Sequence, residues 1–170
     1  MDAEQLRALQ APLKEKYRGD AEAALVTLTA QGSLDDDAVV CRVDTGRALV
    51  EAGLHPATGG DGSQACSGNM LLDALVACAG VTVKAVATAL GITLKGGTIS
   101  AEGDLDFRGT LGVAKDAPVG FREIRMRFDF DSDASAEQLA SLTKLTERYC
   151  VVLQTLRNPP PITLILRTGG

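Results

Sequence analysis

The run Met70-Leu-Leu-Asp-Ala-Leu-Val-Ala-Cys-Ala-Gly-Val-Thr-Val83 constrains this chain more than any other part of it. A Gly-rich loop precedes it, and Ser67 or Asn69 can serve as an N-cap. Gly91 supplies the stop, so a helix is expected from about Ser67 to Leu90. Apolar side chains lie all round its wheel, which predicts burial at the centre of the fold. The strictly apolar part is broken by Asp73 and is shorter than the ~20 residues a bilayer span needs, so a core helix is expected rather than a membrane segment. One thin sheet cannot cover such a helix, so the pattern also asks for a second copy of the chain.

The flanking patterns supply that sheet. Leu6, Leu9, Leu13 and Tyr17 recur at helical steps and predict an amphipathic helix over 2–17. Strands are expected at 24–29, 38–43 and, more briefly, 47–52, with turn chemistry at Gly32–Asp37. After the central helix, two longer strands are expected over about 93–106 and 121–130. Ile99, Ala101, Gly103 and Leu105 share one face of the first, and Ile124, Met126, Phe128 and Phe130 one face of the second. The segment between them, 108–120, reads as a mobile or extended connection. Ser135 with Gln138 three residues on fits a capping box and opens a helix whose buried stripe is Leu139, Leu142 and Leu145–Thr146. A short helix from Cys150 to Arg157 ends at three prolines, and a last strand is expected at 162–167. The order α-βββ-α-ββ-αα-β predicts an α+β fold, a mostly antiparallel sheet wrapped around a long central helix, in a single domain over 1–170.

Charge narrows the function. With 17 basic against 22 acidic residues the net charge is −5, which argues against nucleic-acid or anionic-membrane partners. The N-terminus has early acids and no apolar core of a signal peptide, so a cytoplasmic protein is expected. In that compartment a disulfide is more readily catalytic than structural.

The candidate site residues each have a bland reading. Gly59-Gly-Asp-Gly62 lacks a phosphate-loop ending and reads best as a turn. His55, the single histidine, stands before a proline in the same loop. It can be a solvated loop residue or a charge that lowers the pKa of a nearby thiol. Cys78, between Ala77 and Ala79, can pack as a small hydrophobe or react. Cys150 follows Glu147-Arg-Tyr149 at a break between two helical runs, where a helix start favours thiolate. Cys41 and Cys66 read as structural or incidental. No two cysteines stand two to four residues apart, so neither a zinc knuckle nor any other metal or cofactor is expected. Asp73 lies off the Cys78 face of the helix and can pair with a cation elsewhere.

Taken together, Leu-Leu-Asp-Ala-Leu-Val-Ala-Cys over 71–78 behind a Gly-rich loop, and a second Cys followed by a short helix and an edge strand over 150–167, resemble the OsmC/Ohr family of osmotically induced and organic hydroperoxide resistance proteins. The resemblance covers about 22–168 and leaves the N-terminal helix, 1–20, outside. It implies an OsmC-like fold in which an intertwined homodimer wraps two sheets around two central helices. It further implies a thiol peroxidase acting on organic hydroperoxides and recycled by an external dithiol reductant. By position, Cys78 matches the peroxidatic cysteine and Cys150 the resolving one. The family's peroxidases carry a Glu where this chain has Asn69 or Gly68, and an Arg for which His55, or less closely Arg47, stands nearest. Val151 replaces the Pro that usually follows the resolving cysteine. Those departures motivate an alternative: a small-molecule-binding protein of the same fold, whose interface pocket is lined by Leu75, Val81 and an aromatic such as Phe107 or Phe121.

Overall fold

The computed structural model describes residues 3–34, 41–43 and 52–166. Helix α1 spans Ala3–Gly19. Strands β1, Leu25–Leu34, and β2, Cys41–Val43, follow. Next come the central helix α2, Ser67–Leu90, strand β3, Gly96–Asp106, and the single turn α3, Phe107–Thr110. Strand β4, Glu123–Asp131, leads to helices α4, Ala136–Tyr149, and α5, Val151–Arg157. The four strands form one antiparallel sheet in the order β2-β1-β3-β4. This is the expected α+β arrangement.

Helix α2 lies on the sheet and against α4 and α5. Leu72, Leu75, Val76, Ala79 and Val83 face Ile99 and Ala101 of β3, and Leu142 and Cys150 close the other side. Burying each such aliphatic side chain contributes about 1.5–3 kcal/mol, so this layer carries most of the fold. The helix ends where Gly91 turns left-handed at φ 67°, returning its N–H to the carbonyls of Ala87 and Thr88. Its N-cap is Cys66, one residue before the expected Ser67 and three before Asn69, and no side chain caps it. By length and composition alone α2 could cross a membrane, since its apolar character extends beyond Met70–Val83. Packed against the sheet, α4 and α5, it serves instead as the core helix.

The alternation expected of the long strands holds. Ile99, Ala101 and Gly103 are buried on β3, and Ile124, Met126, Phe128 and Phe130 are half-buried on β4. At Gly103 a Cβ would stand 2.5 Å from the Phe121 ring, so only glycine lets that ring lie on the sheet.

Several expectations shift. β1 continues through Gly32 to Leu34, because pairing with β3 as far as Ser33 and with β2 as far as Leu34 overrides the local turn chemistry. The expected strand at 47–52 falls outside the described residues except for Ala52, which bridges Ala65. The connection after β3 opens with the helical turn α3, capped by the Asp106 carboxylate, rather than an extended loop. The last expected strand is not one. Residues 159–166 have no regular structure, and Ile162, Leu164, Ile165 and Leu166 stand 77–91% exposed. A strand needs a neighbouring edge for its N–H and C=O groups, and none lies beside this segment among the described residues. Nor is α2 buried all round. Met70, Ala74, Val81, Ala85 and Thr88, which share one side of the helix, are exposed.

Candidate thiol site

Helices α2 and α4 bring Cys78 and Cys150 together. Cys150 is the C-cap of α4 and the N-cap of α5, with an extended backbone at ψ 106°. The β-branched pair Val151–Val152 weakens helix continuation there. The break is held from both sides: Cys150 N–H donates to Thr146 O at 2.9 Å, and Gln154 N–H donates to Cys150 O at 2.9 Å. The Gln154 side-chain amide reaches back to Glu147 O at 2.7 Å. The thiol is thereby fixed at a helix junction, wholly buried.

Burial pushes the Cys150 thiol up to about 11 from its ordinary 9.0. The neighbouring Cys78 pushes in the same direction. The N–H groups of Leu153 and Val152, in the first turn of α5, oppose the rise without the geometry of a full capping bond. Cys150 is therefore protonated near neutral pH. Cys78 itself is half-buried, next to the exposed face of α2. Cys66, Cys78 and Cys150 are all free thiols.

A cavity of about 490 Å³ lies between β4 and helices α2, α4 and α5; neither cysteine lines it, but residues one turn from each do. Leu75, one turn before Cys78, and Leu153, one turn after Cys150, line it together with Phe121, Met126 and Phe128. Arg122, Glu123, Glu147 and Arg157 supply its polar lining, and Arg157 pairs with Glu147 at 3.3 Å.

His55 stands elsewhere. Its ring stacks on Phe107 with centroids 4.9 Å apart, and its Nδ1 accepts the Ala57 N–H at 3.0 Å. Its carbonyl takes Thr58 N–H at 2.8 Å and Gly60 N–H at 3.2 Å, which closes the glycine loop. Burial lowers the imidazole pKa, so the ring is neutral at neutral pH and offers no positive charge. It lines a second cavity, of about 440 Å³, with Cys66, Phe107 and Phe121; neither Cys78 nor Cys150 lines that cavity. Arg47 lies outside the described residues. Cys66, read as incidental, is thus the thiol that shares a cavity with His55, and its place as N-cap of α2 has no signal in a residue type that rarely caps. Helix α1 reaches this loop too, through Tyr17 Oη donating to Ala57 O at 2.7 Å. Tyr17, Ala24, Phe107 and Leu111 form a second small core there. Among the described residues, no group of three or more His, Cys, Asp and Glu side chains is placed to hold a metal ion.

The OsmC-like protein family model matches residues 60–165, a span that includes both cysteines of the pair. No curated protein matches the chain. Among solved structures, the fold is similar to an OsmC-like hydroperoxide resistance protein from Jannaschia sp. ccs1. That match has a TM-score of 0.63 and 20% identity, over 86% of this chain and 95% of that one. It is similar also to an OsmC-like protein from Mycoplasma pneumoniae, with a TM-score of 0.56 and 18% identity over 79% and 86% of the two chains.

Proposed function

The chain belongs to the OsmC-like protein family, and from that premise we propose that it reduces organic hydroperoxides with Cys78 as attacking thiol and Cys150 as resolving thiol. The observation that carries the reading is that Cys78, on α2, and the buried Cys150, at the end of α4, are neighbours in one core cluster. Cys150 is the member held protonated, which suits a thiol that waits; Cys78, half-buried beside the open face of α2, suits the one that meets substrate. The apolar cavity flanked by Leu75 and Leu153 suits the organic group of the peroxide. An external dithiol in the cytoplasm returns the disulfide to two thiols. The similar Jannaschia protein is named for hydroperoxide resistance, which supports the same substrate class.

The active unit in this reading is a homodimer. Two apolar surfaces support it: the Met70, Val81, Ala85 side of α2, and the exposed Ile162–Leu166 segment. Surfaces of that kind are rarely left in water. A second copy covers the first with its own central helix and receives the second as an added strand. His55 in this proposal organises its own loop, away from the thiol pair, and carries no charge to it.

The test is to add one equivalent of cumene hydroperoxide to the reduced protein and count free thiols. The wild type is expected to lose two thiols per chain, Cys150→Ser one, and Cys78→Ser none at a comparable rate. A Cys78→Ser protein that behaves like the wild type removes the proposal. The neutral His55, together with Asn69 or Gly68 where the family carries Glu, favours a second reading: a binding protein that holds an apolar small molecule without turning it over. Saturable binding of such a molecule by a protein whose thiols ignore peroxide would select it.

A further inference from the structure

The stripe of α4 that faces α2 runs Leu142, Thr146, Cys150 at four-residue steps, all three buried. Thr146 interrupts it with a hydroxyl. The residue is 1% exposed, and its Oγ1 has no hydrogen-bond partner among the described residues. A buried hydroxyl with no partner is unfavourable, and a methyl in its place would fill the same space without that penalty. Thr146 also sits one turn before Cys150 on the same helix face, its carbonyl holding the Cys150 N–H at 2.9 Å. The reduced thiols do not satisfy this donor. An oxygen atom arriving between them is the group that can.

We propose that Thr146 is a catalytic hydrogen-bond donor to the oxygen that the peroxide leaves on Cys78. The proposal rests on the reading of Cys78 and Cys150 as a peroxidatic pair. In the first step the Cys78 thiolate attacks the terminal oxygen of the hydroperoxide. An S–O bond forms, the O–O bond breaks, and the electron pair leaves on the alkoxide, which takes a proton to become the alcohol. Sulfur is oxidised to the sulfenic acid, and the peroxide is reduced. In the second step Cys150 gives up its proton and attacks the Cys78 sulfur. An S–S bond forms, the S–O bond breaks, and the oxygen leaves as hydroxide, which combines with the proton from Cys150 to give water. Thr146 donates to that departing oxygen and keeps its own proton, so its contribution falls on the second step.

The experiment adds one equivalent of cumene hydroperoxide to the intact protein, with and without dimedone to trap sulfenic acid, and follows thiols and intact mass with time. Thr146→Val removes the hydroxyl and keeps the shape. In this variant Cys78 should be consumed at the wild-type rate, while disulfide forms about tenfold more slowly, the loss expected for a hydrogen bond to a charged group. Trapped sulfenic acid on Cys78 should rise several-fold. Thr146→Ser, which restores the hydroxyl, should restore the disulfide rate, and Thr146→Ala, which removes the hydroxyl by a different truncation, should repeat the Val pattern. Equal disulfide rates and equal trapping in the wild type, Thr146→Val and Thr146→Ala overturn the role of Thr146 alone. So does Thr146→Ser behaving like Thr146→Val. A wild type that consumes no thiol removes the peroxidatic reading itself, and the role of Thr146 with it.

Discussion

Cys150 sits between opposing influences, and their balance sets how the chain responds to pH. Its folded pKa, about 11, lies above the ordinary 9.0, so the unfolded chain releases this proton first. Between those values the folded state binds more protons, and stability therefore falls as pH rises from 9.0 towards about 11. Tyr17, raised by burial, adds a slope of the same sign in the alkaline range. Urea midpoints measured across that range should fall for the wild type and fall less steeply for Cys150→Ser, which has no thiol to titrate. Equal slopes would mean that Cys150 is not buried as described. The acid side has the opposite sign. Asp104, bonded to Arg125 at 2.6 Å and to Thr27 Oγ1 at 2.6 Å, is held down to about 2. Its share of stability is present above the ordinary carboxylate value and is lost as pH falls towards about 2.

At the scale of elements, local chemistry sets most boundaries. The box at Ser135 is complete: its Oγ accepts Gln138 N–H at 3.2 Å, and its own N–H donates to Gln138 Oε1 at 2.9 Å. Ser135→Ala should cost about 1 kcal/mol in urea denaturation, and no loss would show that α4 is held by packing alone. The helix–break–helix around Cys150 and the extent of α2 were likewise readable, because caps, periodicity and a stop residue act within a few positions. The end of β1 was not, since Gly32 and Ser33 pair on one side with Ile99 and Thr98 of β3, 67 and 65 positions away, and Gly32–Leu34 pair on the other with β2. The turn α3 was also missed, because its cap depends on Asp106, which sits between Arg108 and the core. The His55 loop escaped in the same way: a lone histidine in sequence gives no sign of a stack on Phe107, 52 positions on.

For the whole molecule, the uncovered apolar surface predicts the assembly. Light scattering should give twice the chain mass at micromolar concentration. A chain ending at Asn158, without the exposed segment beyond it, should lose most of that association. A monomer for the full chain would instead leave Met70, Val81 and the Ile162–Leu166 side chains open to solvent in the native state.

From the chain alone came most of the elements and the central place of the 67–90 helix, and through the family resemblance the two thiols. Those features rest on periodicity and on motifs whose parts are close in the chain. Tertiary structure alone decided which groups surround them. It set Cys78 against Cys150, turned His55 away as a neutral loop organiser, placed Cys66 in its cavity instead, and left the Thr146 hydroxyl buried without a partner beside the pair. Reactivity depends on burial and on charges a few ångströms away, and those are set by packing between elements far apart in sequence.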